Sequence, residues 1–126
     1  MLSQRPIRAS AIALGLGLST LAVVAAATDM PQLDLNGDAA AGKAVAEDRG
    51  KGNCIACHMI VGAESPGAIG PALIAMQTRY PTKEALARQI WDATVKTPEA
   101  AMPPFGKHEI LTNQEFVDVV EYVWTL

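Results

Sequence analysis

The pentapeptide Cys54-Ile-Ala-Cys57-His58 constrains this chain more than any other feature, because it uses both of the chain's cysteines and sets an imidazole directly behind the second. Three chemistries suit two thiols at this spacing. They can close a short redox disulfide, bind a metal as thiolates, or add to the vinyl groups of a haem as thioethers while the adjacent histidine takes an axial position on iron. A redox pair of the thioredoxin kind usually opens a helix after a strand. The residues before Cys54, AAAGKAVAEDRGKGN, read instead as a helix running into a glycine-rich loop. A closed zinc site takes four ligands. Here His58 stands too close to share the thiols' site easily, and His108 is the only other histidine.

The amino terminus bears on the same choice. Arg5 and Arg8 precede a weakly apolar run, Ala9 to Ala27, that closes on three alanines. Positive, then apolar, then small is the order of a secretory signal peptide. The run is also long enough to span a bilayer, but its alanine-rich end suits a signal peptidase. Arg5 and Arg8 are not adjacent, so no twin-arginine signal is indicated. Residues 1–27 are therefore expected to be a Sec-type signal peptide, and the protein periplasmic. Cleavage after Ala27 leaves 99 of the 126 residues, with eight Lys and Arg against 13 Asp and Glu, a net charge of −5. An acidic chain of this size has no footprint for nucleic acid or for an anionic membrane surface. A domain so small commonly needs a disulfide, a metal or a cofactor to complete its core. In an exported chain that places both cysteines in one such motif, one covalent haem c through Cys54 and Cys57 is the expected cofactor, with His58 on iron.

Residues 28–37, TDMPQLDLNG, read as an extended arm, and residues 38–126 as a single domain. Asp38 can cap a first helix over 39–49, ended by Gly50 and Gly52. The segment 58–79 carries Gly62, Pro66, Gly67, Gly70 and Pro71 and reads as loop. A second helix is predicted after the cap Thr82, through KEALARQIWDATV, with Leu86, Ile90 and Trp91 on one side. Pro98, Pro103 and Pro104 then hold the chain open. The final helix is the best specified. Thr112 and Glu115 form a capping box, Leu111 and Phe116 a hydrophobic staple, and Phe116, Val119, Val120 and Val123 an apolar stripe. No alternating strand pattern occurs. The fold is expected to be all-α, three to four helices with long loops around one haem.

A sixth donor to iron is sought among Met30, Met59, Met76, Met102 and His108. Met59 adjoins His58 and cannot easily reach the other face. Met30 lies in the arm, and Met76 reads better as apolar packing. Met102 precedes two prolines that exclude helix and stiffen the backbone, so it is the preferred donor, ahead of His108 and Met76. A thioether with an imidazole favours ferrous iron and raises the potential, as electron transfer requires.

The order GNCIACH, GAIGPAL, MPPFG and a C-terminal helix ending in an aromatic resembles the class I cytochromes c across the whole chain after the leader. The resemblance implies that the Pro71 carbonyl receives the ring N–H of His58, and that Gly42 and Tyr122 lie where the terminal helices cross. The blocks RYP and AMPPFGKHEILT are similar to a narrower family, the SoxX small monohaem subunits of the SoxAX thiosulfate-oxidising cytochromes. That likeness implies a heterodimer with a larger SoxA-like haem subunit, which joins thiosulfate to a carrier-protein cysteine, with electrons passed onward through the small subunit to an acceptor cytochrome. It implies no catalytic residue in this chain, and no activity for the chain alone. A free-standing periplasmic electron shuttle is the rival reading. Arg79 stands open between pairing with a haem propionate and a surface ion pair. Lys51 and Lys107 stand open between steering an acidic partner and simple solvation.

Overall fold

The structure, a computed structural model, describes residues 30–126. The expected signal peptide and the first two residues of the expected arm lie outside the described residues. The first helix, α1 (Ala39–Glu47), starts where Asp38 accepts hydrogen bonds from the amides of Ala40 and Ala41, at 2.8 and 3.1 Å. It ends two residues before the expected boundary. Asp48 turns to extended backbone, and its carboxylate accepts from the Gly50 amide at 2.7 Å, so an aspartate turn stops the helix ahead of the glycines.

The helix α3 (Lys83–Trp91) begins at Thr82, whose hydroxyl accepts from the Ala85 amide. It breaks at Asp92, where the carboxylate accepts from the Thr94 amide and hydroxyl; residues 93–95 then form a separate 3₁₀ turn rather than the last turn of a longer helix. Between α1 and α3 the expected loop holds a single helical turn, α2 (Met76–Arg79). No side chain caps its start. The Met76 amide donates to the carbonyl of Leu126 at 2.9 Å and the Gln77 side chain to that of Trp124 at 3.0 Å, so the far end of the chain holds this turn in place.

The last helix, α4 (Asn113–Trp124), carries the complete capping box between Thr112 and Glu115. Leu111 and Phe116 are both buried beside it, and the stripe Phe116, Val119, Val120 and Val123 is at most 3 % exposed. Fully burying such side chains stabilises a fold by about 1.5–3 kcal/mol each. Among the described residues there is no strand, and the architecture is all-α with long loops.

Helix α4 organises the rest. α1 crosses it at Gly42, where a Cβ atom would fall 1.9 Å from the Asp118 carbonyl oxygen and 2.9 Å from Cβ of Tyr122. The crossing is backbone against backbone. The buried carboxylate of Asp118 locks it by accepting from the Asp38 amide at 2.8 Å, and is itself held by Gln114 of the same helix at 2.9 Å. α3 packs through an edge-to-face contact of Trp91 on Phe116, centroids 5.3 Å apart, and through the Lys83–Glu121 ion pair at 2.5 Å.

Candidate functional site

Helices α2, α3 and α4 and the two long loops border a largely apolar, partly open cavity of about 650 Å³, within the range of small-molecule and cofactor sites. Its walls come from separate parts of the chain. α3 supplies Leu86 and Ile90, α4 supplies Val119 and Val123, the loop before α2 supplies Leu73, and the proline-rich segment supplies Phe105. Cys54, Cys57, His58, Pro71, Arg79 and Met102, every residue singled out for a haem, border this one cavity.

The cysteines sit on a 3₁₀ turn, Cys54–Ala56, entered through Asn53 in left-handed backbone (φ 47°) and closed by the His58 amide donating to the Cys54 carbonyl at 2.9 Å. Their sulfurs are not joined to each other. Desolvation pushes the Cys54 thiol up to about 11, with Cys57 adding to the rise and a backbone hydrogen bond opposing it. A thiol so placed is a poor redox thiolate or metal ligand, whereas a thioether, uncharged, suits the same burial. Among the described residues no group of three or more His, Cys, Asp and Glu is placed to hold a metal ion.

His58 is held from two sides. Its Nδ1 lies 2.7 Å from the carbonyl oxygen of Pro71. A carbonyl only accepts, so Nδ1 carries the proton and Nε2 keeps its lone pair for a metal. Gly70 lies flat against the ring, since a Cβ there would come 2.5 Å from Cε1. This is a cradle that any larger residue would fill.

Two methionines reach the cavity, and the structure separates them. Met76 is 2 % exposed, and its Sδ sits 3.5 Å from Nη1 of Arg79. Met102 is half-buried on the proline-rich wall. That wall is tied to α3 at several points: the Lys107 ammonium donates to Asp92 at 2.8 Å, the Lys107 amide to the Trp91 carbonyl at 3.3 Å, and Gly106 rests on the Trp91 ring. His108 is exposed and does not border the cavity; nor does Met59, and Met30 packs against the hydrophobic core.

Arg79 donates from Nη1 to the Ala72 carbonyl at 2.6 Å and forms no ion pair among the described residues. Both lysines considered for steering are engaged. Lys51 pairs with Glu115, whose carboxyl that hydrogen bond holds down at about 2, and Lys107 pairs with Asp92, likewise held at about 2.

Several lining residues escaped the sequence reading. Gln89 borders the cavity from α3; the signal was a polar residue inside the apolar stripe between Leu86 and Ile90. Tyr80 and Ile110 also border it, and no local pattern marks them. The anchoring aspartates were visible in principle, Asp118 as a charge inside FVDVV and Asp92 by the threonine two positions on.

The family model described as cytochrome c matches residues 39–126. Among solved structures, SoxXA from P. pantotrophus is similar, with a TM-score of 0.64 and 27 % identity over 71 % of this chain and 81 % of that one. No curated protein matches the chain.

Proposed function

Because this chain belongs to the cytochrome c family, we propose that it is the small electron-transfer subunit of a SoxAX-type complex, paired with a larger SoxA-like haem subunit. Its cofactor is one haem c bound through Cys54 and Cys57. When bound, the haem supplies a one-electron couple at iron. The chain's own residues do the rest. His58, its proton fixed on Nδ1 by the Pro71 carbonyl, would hold the iron through Nε2. Met102 would offer its thioether as a second donor from the wall anchored by Asp92 and Lys107. Arg79, steadied by the Ala72 carbonyl, would direct its remaining guanidinium N–H groups to a propionate. Leu86, Ile90, Val119 and Val123 exclude water from the site.

In the same reading the chain is exported by its Sec-type leader and works in the periplasm. Among the described residues no helix is long and apolar enough to cross a membrane. The complex joins thiosulfate to a carrier-protein cysteine, releasing two electrons, and this subunit hands electrons to an acceptor cytochrome. The observation that carries the reading is the gathering of Cys54, Cys57, His58 and Met102 on one apolar cavity, beside the likeness to SoxXA.

The test is to assay the haem-loaded chain, the larger subunit and their mixture separately for thiosulfate-dependent conjugation to the carrier cysteine. Only the mixture should turn over, while the chain alone should exchange electrons rapidly with a small mediator. Conjugation by the isolated chain would overturn the assignment, because both of its thiols are consumed as thioethers.

A further inference from the structure

Six large apolar side chains stand well exposed among the described residues: Met59, Val61, Ile69, Ile74, Val95 and Ile110. Ile69 and Ile110 border the cavity, where a haem would account for them. Met59, Val61 and Ile74 do not border it, yet they are 52 %, 79 % and 55 % exposed. All three lie on the loop between Cys57 and α2. The Leu73 amide donates to the Met59 carbonyl at 2.9 Å, laying the two arms of the loop side by side. Along each arm the side chains alternate. Ile60, between Met59 and Val61, is 1 % exposed, and Leu73 faces the cavity while Ile74 is turned to solvent. Met59 and Ile74 each adjoin a residue that lines the cavity, His58 and Leu73, so the patch lies beside the cofactor site.

Charge marks the same segment. From Gly52 to Thr78, 27 residues hold a single charged side chain, Glu64, where the chain's overall 18 % would place about five. Exposed apolar side chains with few charges are the signature of the centre of a lasting interface. A partner met by diffusion is instead steered by charge, and the two lysines considered for that, Lys51 and Lys107, are paired within the chain.

We propose that Met59, Val61 and Ile74 form the docking surface for the larger haem-bearing subunit, which seats that subunit against the wall of this chain's own haem cavity. The proposal rests on the heterodimer reading above. A neutral apolar face suits a permanently bound subunit, and its position one residue from the cavity suits electron exchange between the two.

The test uses the haem-loaded chain and the larger subunit, with binding read by titration and co-elution. The double variant Val61→Glu, Ile74→Glu should bind roughly a hundredfold more weakly, the scale of losing a central hot spot, with its visible spectrum and reduction by a small mediator unchanged. Val95→Glu, an exposed apolar residue on the turn after α3, should bind as the wild type does. If the double variant also binds normally, the face is wrongly assigned and the heterodimer stands. If the wild-type chain does not bind the larger subunit, the heterodimer reading falls and this proposal with it. A wild-type homodimer that the double variant splits, with binding to the larger subunit unaffected, would assign the face to a second copy and overturn the proposal.

Discussion

Replacing Gly42 by alanine sets two physical effects against each other, and the structure decides between them. Helix propensity alone favours alanine inside α1 by about 1 kcal/mol. The new Cβ, however, would lie 1.9 Å from the Asp118 carbonyl oxygen and 2.4 Å from its carbon, where ordinary contact begins at 3.4 Å. Both atoms belong to the backbone of α4 and cannot swing aside, so the helices must part by about 1.5 Å (3.4 less 1.9) at the crossing. Overpacking of this kind costs about 1–3 kcal/mol. Separation also weakens the bond from the Asp38 amide to the buried Asp118 carboxylate, and bonds to a charged acceptor contribute about 1.5–3 kcal/mol. Weighed against the propensity gain, the net loss is about 1.5–5 kcal/mol if that bond is lost outright. Guanidinium unfolding of the haem-loaded protein, followed by far-ultraviolet circular dichroism, measures it directly, with Ala40→Gly on the exposed side of α1 as a control that should lose only the propensity term. Because Val119 and Val123 carry the same displacement to the cavity wall, the reduction potential should move as well. A Gly42→Ala protein more stable than wild type would refute the backbone contact.

Met102→Ala should leave the covalent haem in place, lower the potential, and open iron to cyanide or carbon monoxide in a spectroscopic titration. Met76→Leu should do neither and should cost less than about 1.5 kcal/mol in denaturant unfolding, as a volume-conserving change in a packed core. Asp92 is held at about 2, below its ordinary 3.8, first by the hydrogen bond from Lys107 and then by Thr94. A depressed carboxyl contributes stability that is present above pH 3.8 and disappears as pH falls towards about 2, so wild-type stability should drop across that window. Asp92→Asn should flatten the drop, leaving the parts that Glu115 and Glu84, both also held below their ordinary values, contribute, as read from denaturation midpoints across the acid range.

What the sequence disclosed was whatever is local in the chain. The capping box at Thr112, the cap at Thr82 and the aspartate at position 38 are acceptors a few residues from the amides they satisfy, and each starts a helix as expected. The ends of α1 and α3 fell earlier than expected because Asp48 and Asp92 fold back on amides two residues on, which competes with one more helical turn. α2 was illegible for a different reason, since its first amide is satisfied by Leu126, fifty positions away. The cavity follows the same division. CIACH and MPPFG stand out as words, but Tyr80, Gln89 and Ile110 become its lining only when α3 and the proline-rich wall are brought to face α4. Lys51 and Lys107, indistinguishable in sequence from solvated lysines, turn out to be paired with acids 64 and 15 positions away.

These distant pairings bear on how the site works, because they fall on the segments that would otherwise be loose. His58 and Met102 both lie outside helices, on stretches with many glycines and prolines. Each is nevertheless fixed by contacts beyond its own segment or by packing that admits no side chain. The His58 ring is bonded to Pro71 and faced by Gly70. The wall bearing Met102 is stapled to α3 through Lys107, Asp92 and the face of Trp91, and turns back on itself through the Ile110 and Leu111 amides, which both donate to the Phe105 carbonyl. A site that only passes electrons gains from donors that stay in place when the charge at its centre changes, and it has no use for an open position. Sulfur chemistry needs the opposite, a reactive thiol or a vacant ligand position. This chain's two thiols are bound to its cofactor, and its candidate donors are held by rigid walls. In the complex proposed above, that difference assigns electron transfer to this subunit and leaves the joining of sulfur to the larger one.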